Sequence, residues 1–102
     1  MTDDEMALVG RALAHPARVR IIRLLADQTE CRGHDVFSGL PLAQSTISEH
    51  LRVLKEAGLV RSRPLGTSMV YCLVGSVLEE FYHAVGEIRT SATACVTGQG
   101  RC

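Results

Sequence analysis

The sequence has no long apolar run, no low-complexity segment and no excess of charge of either sign. Its longest uninterrupted apolar stretch, residues 69–74, is six residues long, far short of the roughly 20 that a membrane-spanning helix requires. The N-terminal segment MTDDEMALVG is acidic, unlike the basic start of a secretory signal. With 102 residues and 46% hydrophobic content, the chain is expected to fold as one domain, 1–102, that is cytoplasmic and makes no membrane contact.

Motifs for catalysis and for closed metal sites are also missing. The four cysteines contain no Cys-x-x-Cys pair, which argues against a zinc finger, and in a reducing cytosol they are expected to be thiols. No nucleophile has a paired base at a recognisable spacing, and no glycine-rich phosphate loop is present. The chain is therefore not expected to be an enzyme. The cysteines are Cys31, Cys72, Cys95 and Cys102.

Basic charge is concentrated in one segment, although the net charge of the whole chain is zero. Residues 44–63 have a net charge of +2, whereas residues 1–30 and 64–102 each have a net charge of −1. A nucleic acid responds to the local potential of a surface rather than to the net charge of the protein. The composition is therefore compatible with DNA binding through the central segment.

The hydrophobic periodicity and the helix-breaking residues predict a mainly α fold with a small β-wing (α+β). The predicted order is α-α-α-α-β-β-α. Pro16 suits the start of a helix, and Gly58 suits the end of one. The predicted helices cover about 3–14, 16–26, 34–39, 43–57 and 76–91, and two strands with a turn at Leu65-Gly66-Thr67 cover about 59–73.

Apolar spacing also predicts which helix faces are buried. In the second helix Val19, Ile22 and Ala26 are predicted to share one face, which Ile21, Leu24 and Leu25 widen. In the fourth helix a buried stripe is predicted at Ile47, Leu51 and Leu54. The last helix has a similar stripe, Val77, Phe81, Val85 and Ile88, that a single small domain is not expected to cover.

Polar residues are concentrated on the early turns of the fourth helix, and a helix that only had to pack against the core would not need them there. A short helix, a tight turn and a second helix with a polar face form a helix-turn-helix (about 34–57), and the two strands after it form a wing. In such a module the second helix lies in the major groove. We expect Gln44, Ser45 and Thr46 to contact bases. Ser48 and His50 are expected to donate hydrogen bonds to phosphate, and Arg52, Arg61 and Arg63 to neutralise it. Thr67, at the turn of the wing, is a further candidate DNA contact. The alternative is an ordinary amphipathic helix with a solvated polar face.

Three segments, ALAHPARVRIIRLLA, AQSTISEHLRVLKEAGLV and GTSMVYCL, together resemble the arsenical-resistance repressor (ArsR/SmtB) family of winged-helix repressors. The resemblance covers roughly residues 7–73, with the last helix matching in position. It implies a homodimer built from the first and last helices. It also implies an operator in double-stranded DNA, and release from that operator when a metal ion or thiol-reactive effector binds.

The family's metal sites are incomplete in this chain. Its thiolate site resembles Glu-x-Cys-x-Cys-Asp, and alignment on Glu30 and Asp35 puts Arg32 and His34 where the two cysteines would stand. Its zinc site on the last helix resembles Asp-x-His followed by His-x-x-Glu or His. Here only His83 is available, so the resemblance does not extend to the usual arsenite site or to a full zinc site.

Cys95 and Cys102 remain as a nearby pair of soft donors, joined by a segment with two glycines. Thiolates select soft ions, and some arsenic-responsive relatives have C-terminal cysteine clusters, although such clusters often contain an adjacent pair and Val96 stands in that place here. We therefore expect the effector to be arsenite or a similar soft thiophile bound by this pair, with Cys72 or Cys31 as a candidate third ligand. No permanently bound cofactor is expected.

Two alternatives stay open at this point. Some relatives sense persulfide or oxidants with one cysteine before the short helix and one in the last helix, roughly the places of Cys31 and Cys95, which could form a redox pair. The chain could instead be a small thiol enzyme or a metal-buffering protein. Four dispersed cysteines are few for a metal buffer.

Overall fold

A computed structural model of the chain describes residues 1–27 and 38–92. These residues form four helices and an antiparallel hairpin: α1 (Asp3–Leu13), α2 (Pro16–Ala26), α3 (Gln44–Glu56), β1 (Val60–Leu65), β2 (Ser68–Leu73) and α4 (Gly75–Ser91). The predicted fold class and the order of these elements are confirmed, and no predicted end differs from the observed one by more than one residue. The predicted helix at 34–39 lies mostly outside the described residues.

The first two helices start where side chains satisfy their free N–H groups. Thr2 and Glu5 form a capping box on α1: the Thr2 N–H donates to Glu5 Oε1 at 2.8 Å, and the Glu5 N–H donates to Thr2 Oγ1 at 3.1 Å. At the start of α2, His15 Nδ1 accepts from the Ala17 N–H at 3.1 Å, and Pro16 occupies the first helical position. The HPA sequence thus ends one helix and begins the next.

Gly58 ends α3 and joins it to the wing. Its φ of +78° lies in the left-handed region that glycine adopts without strain. The Gly58 N–H donates to the Lys55 carbonyl, and the Leu59 N–H donates to the Leu54 carbonyl, both at 3.0 Å. The Leu59 carbonyl accepts from the Val74 N–H at 2.8 Å, so Leu59 connects the end of α3 to the start of α4.

The wing is a regular hairpin with a two-residue loop. Val60 pairs with Leu73 at its base, and Leu65 pairs with Ser68 at its tip. Gly66, with a φ of +64°, supplies the left-handed conformation that the tight turn requires. The turn lies where the sequence predicts it.

One apolar core joins α1, α2, α3 and the base of the wing. Ile21, Ile47, Leu54 and Leu59 are completely buried. The stripe predicted for α3 is confirmed, because Ile47, Leu51 and Leu54 all belong to this core. The other buried members of the core are Val9, Ala12, Leu25, Leu40, Ala57 and Val60.

The face of α2 differs from the prediction. Its buried residues are Ala17, Ile21 and Leu25, while Val19 and Ile22 are half-buried. Ala26, which the sequence placed on the same face, is exposed. Nearly every position from 21 to 26 is apolar, so the periodicity alone does not fix which face meets α1 and α3.

Helix α4 is the least buried element. It packs against α1, and Val77, Leu78 and Phe81 contact the rim of the core, yet none of its residues is buried. Tyr82 is 71% exposed and Ile88 is 59% exposed. Among the described residues, no helix is both long enough and apolar enough to cross a membrane.

Candidate nucleic-acid interface

The polar side chains that the sequence assigned to base contact lie together at the start of α3. Gln44, Ser45, Thr46 and Ser48 are all exposed. The opposite side of the same helix faces the core, so these side chains are held on a rigid element rather than on a loop. The structure therefore brings together the predicted base-contacting residues on one accessible surface.

The N-terminus of α3 has no side-chain cap. Ala43 occupies the N-cap position, and its methyl group cannot accept a hydrogen bond. The first N–H groups of a helix have no partner within the helix, and together with the helix dipole they favour an anion. This helix start is thus chemically suited to a DNA phosphate, which is a common partner of helix N-termini.

The wing presents Arg61 and Arg63, both exposed, on β1. They are two residues apart on the strand, so their side chains leave from the same side of it. Neither arginine forms an ion pair within the described part of the chain. Thr67 is also exposed, in the turn at the tip of the wing. All three are therefore placed where a duplex could reach them.

Arg52 is exposed, as predicted, but its guanidinium is already occupied. Its Nε donates to both carboxylate oxygens of Glu49, at 3.1 and 3.0 Å, and its Nη1 donates to Glu56. The hydrogen bond from Arg52 lowers the pKa of Glu49, and the same bond is the main reason that the pKa of Arg52 is raised. These carboxylates occupy part of the five-donor guanidinium and offset its charge, so Arg52 is less suited to phosphate than an unpaired arginine.

His50 is not accessible to phosphate, contrary to the prediction from the sequence. It is only 8% exposed, and its ring packs on that of His15 with the centroids 4.5 Å apart. Its Nδ1 lies 3.4 Å from Arg18 Nη1. Burial, followed by the nearby His15 and Arg18, lowers the pKa of His50 and favours the neutral ring. Its position explains the error, because residue 50 falls on the same helix face as Ile47 and Leu54.

Arg18 connects α1, α2 and α3. Its Nε donates to the Ala12 carbonyl at 2.7 Å, and its Nη2 donates to the Arg11 carbonyl at 3.3 Å. Carbonyls in the last turn of a helix lack partners within the helix, and a cation suits that end of the dipole. Through its contact with His50, the same guanidinium reaches the middle of α3.

Cys72 lies in β2 and forms a disulfide bond, so the expectation that all cysteines are thiols is wrong for this residue. Its sulfur is therefore not the thiolate that a third metal ligand would require. The expectation was based on a reducing compartment and could not take account of which sulfurs the fold brings within bonding distance. The predicted effector residues Cys31, Cys95 and Cys102 lie outside the described residues.

His83, the one family zinc-site residue found on the last helix, pairs locally. Its Nε2 is 2.9 Å from Glu79 Oε1, one turn away on α4, and both side chains are exposed. Within residues 1–27 and 38–92, no three His, Cys, Asp or Glu side chains are grouped closely enough to hold a metal ion.

The sequence-based prediction missed two residues of this surface. It assigned no role to Glu49 or to Arg18. The spacing Glu49–Arg52 (i, i+3) and Arg52–Glu56 (i, i+4) is the usual spacing of ion pairs on a helix, and it could have identified the first. No local pattern predicts Arg18, because its partners lie on two other helices.

A helix with an exposed polar N-terminal half, followed by a hairpin with exposed arginines, defines a winged helix-turn-helix domain. Residues 15–62 match the family described as "Bacterial regulatory protein, arsR family". The chain belongs to this family of HTH-type transcriptional regulators. Two relatives and two solved structures support the assignment.

The HTH-type transcriptional regulator CmtR of Mycobacterium bovis is 35% identical over 99 residues, which cover 97% of this chain and 80% of CmtR. An uncharacterized HTH-type transcriptional regulator of Mycobacterium tuberculosis is 37% identical over 70 residues, covering 69% of this chain. The match spans only 61% of that relative's length.

Among solved structures, a fragment of Mb0332 from Mycobacterium bovis, titled a homodimeric winged helix-turn-helix DNA-binding domain, has a TM-score of 0.68 and 26% identity. That comparison covers 100% of this chain and 96% of the other. A structure titled a possible transcriptional regulator for arsenical resistance has a TM-score of 0.70 and 27% identity, covering 90% of this chain and 95% of the other.

Proposed function

We propose that this protein is a transcriptional repressor that binds double-stranded operator DNA as a homodimer and is released by a thiol-binding effector. The observation that carries the proposal is the exposed start of α3. There, four polar side chains and a helix N-terminus without a side-chain cap face solvent, followed along the chain by a wing with two exposed arginines. Family membership and the related DNA-binding domain support it.

The roles divide by chemistry. In the major groove Gln44 can pair with the N6 and N7 positions of adenine, while Ser45 and Thr46 are short enough to let the helix approach. Ser48 and the free N–H groups of α3 donate to phosphate. Arg61 and Arg63 neutralise phosphates from the wing, which gives affinity without sequence preference.

The homodimer is proposed to form through α1 and α4. Tyr82, Val85 and Ile88 are exposed apolar side chains on α4, which has no buried residue of its own. Exposed contiguous apolar surface on a small domain is typical of a protein interface. Two-fold symmetry would then present two α3 helices to half-sites about one DNA turn apart.

The test is DNA binding by a matched set of variants. A duplex enriched by the wild type from a randomised pool is compared with a scrambled duplex. Gln44→Ala should weaken binding to the enriched duplex alone by about 1–3 kcal/mol. Arg63→Ala should weaken binding to both and lower the salt slope by about one, whereas Arg89→Ala on α4 should change neither. Unchanged discrimination in Gln44→Ala would show that α3 is not the base-reading element.

For the effector we propose trivalent arsenic or a similar soft thiophile, bound by Cys95 and Cys102. One support is the spacing of the two cysteines, which follow shortly after the end of α4 at Ser91. The other is the similar structure described as a possible transcriptional regulator for arsenical resistance. Binding at the end of the proposed dimer helix could rotate one subunit against the other. A coupling free energy of about 1–3 kcal/mol is a usual allosteric effect.

A second candidate effector is reactive sulfur or an oxidant, acting through Cys31 and Cys95. The specific observation that favours it is the disulfide at Cys72, because an S–S bond is the oxidised state of two cysteine thiols. Thiol–disulfide exchange could pass that oxidation to another pair of cysteines.

One DNA-release experiment separates the two effectors. Under strict reduction, arsenite should release the wild type from DNA but release Cys95→Ser and Cys102→Ser poorly. Equal release of all three proteins would exclude the tail site. If only persulfide or peroxide acts, and Cys31→Ser resists it, the sulfur-sensing alternative is correct. A thiol enzyme or metal buffer, the remaining alternative, would show no salt-sensitive preference for any duplex.

A further inference from the structure

Glu49 occupies a position on α3 that the proposed DNA-binding roles leave unassigned. One face of α3 has an exposed stripe of side chains at successive spacings of four, three and four residues. Its members are Ser45, Glu49, Arg52 and Glu56. Glu49 lies one turn, about 6 Å along the axis, behind Ser45. It is therefore the next side chain on the stripe after the predicted base-contacting residues.

Arg52 holds the Glu49 carboxylate in place and offsets part of its charge. The guanidinium donates to both carboxylate oxygens, at 3.1 and 3.0 Å from Nε, and it is itself held from the other side by Glu56. Glu49, Arg52 and Glu56 together have a net charge of −1, from one cation and two anions, so the pairing reduces the repulsion between Glu49 and DNA phosphates without removing it. A carboxylate has about four acceptor positions, so Glu49 keeps the capacity to accept further hydrogen bonds.

We propose that Glu49 is a specificity-determining residue that accepts a hydrogen bond from the N4 amino group of a cytosine in each half-site. Arg52 is then a positioning residue for Glu49 rather than a phosphate ligand. The inference rests on the proposed DNA-binding function and adds a base preference to it. Among major-groove edges, cytosine and adenine each offer an amino donor, but adenine places the acceptor N7 beside it, whereas cytosine presents the donor alone; thymine and guanine offer acceptors that repel a carboxylate.

The experiment is selection from a pool of randomised duplexes with wild type, Glu49→Gln and Glu56→Gln. The two variants are matched, because each removes one negative charge and one partner of Arg52 from an exposed position. Wild type and Glu56→Gln should enrich a cytosine at the same position of each half-site. Glu49→Gln should lose that preference while still enriching the rest of the site.

Binding measurements on defined duplexes give the size of the effect. Replacing the selected C·G pair by T·A should weaken wild type and Glu56→Gln by about 5- to 150-fold, the range of one good base contact. The same replacement should change Glu49→Gln by about twofold at most if the base contact is absent. Circular dichroism and thermal unfolding confirm that each variant is folded.

Two results would overturn the proposal. If Glu49→Gln retains the cytosine preference, or if both variants lose it equally, Glu49 acts only as surface charge. If the wild type enriches no sequence at all, the DNA-binding function itself is wrong and the inference fails with it. The first outcome leaves the DNA-binding function intact, so the two failures are distinguishable.

Discussion

The ring of His50 packs on the ring of His15 with a centroid separation of 4.5 Å and an interplanar angle of 56°. His15 caps α2 through its Nδ1, and His50 lies on the buried side of α3. The contact therefore fixes the middle of α3 to the start of α2. Arg18 adds a polar contact beside it and extends the connection to the end of α1.

Stability should fall as the pH decreases below about 6.5, the ordinary pKa of histidine. The pKa of His50 is lowered in the fold, so the unfolded chain takes up a proton first and stability is lost until the pH reaches the folded pKa. Urea midpoints of wild type and His50→Gln at several pH values measure the effect. The variant should show a smaller loss, while His83→Gln, at an exposed position, should follow the wild type. Equal pH dependence of all three would contradict the assignment.

Arg18→Gln should destabilise the fold by about 1–3 kcal/mol, because the variant removes the guanidinium donor from the part-buried contact with the Ala12 carbonyl. The Arg11 carbonyl, at an exposed contact, keeps the Ala14 N–H as a donor. Arg20→Gln is the matched control, since Arg20 is exposed on the same helix. Its effect should stay within about 0.5 kcal/mol. The free energy of unfolding in urea measures both. Similar values for the two variants would mean that the Arg18 contacts contribute little.

Leu54→Ala should cost about 2–5 kcal/mol, because Leu54 is completely buried in the core and its truncation leaves a cavity. Leu65→Ala, at a position 58% exposed on the wing, should cost far less. Chemical denaturation of the two variants provides the comparison. A small loss at Leu54 would indicate that α3 can shift to fill the space.

Ile88→Asp should convert the proposed dimer to monomers, because it puts a charge into the exposed apolar face of α4. Ile88 suits this test better than the half-buried Phe81, which also packs against the core. Leu65→Asp has nearly the same exposure and should leave the mass unchanged. Light scattering at micromolar concentration reports the mass. A monomeric wild type would refute the dimer, and a dimeric Ile88→Asp would exclude this face.

How far the sequence predicts the structure depends on whether the decisive contacts are local. The helix ends, the wing turn and the α3 stripe are set by caps, by Gly58 and Gly66, and by apolar spacing, all of which are visible in the sequence. The buried face of α2 is set by the neighbouring helices. The sequence of α2 does not reveal this face, because nearly every position in its second half is apolar.

The same distinction applies to the candidate interface. The exposed positions of Gln44, Ser45 and Thr46 follow from the spacing of the buried residues after them in α3. The burial of His50 also follows from that spacing, although its polarity suggested a surface role. The disulfide at Cys72 is a tertiary contact, which composition cannot predict.

Leu59 has a mechanical consequence for any signal that arrives along α4. Its N–H is bound to the last turn of α3, its carbonyl is bound to the Val74 N–H, and the next residue begins β1. A displacement of the N-terminal end of α4 would therefore reach both the base of the wing and the end of α3 through the backbone of this one residue.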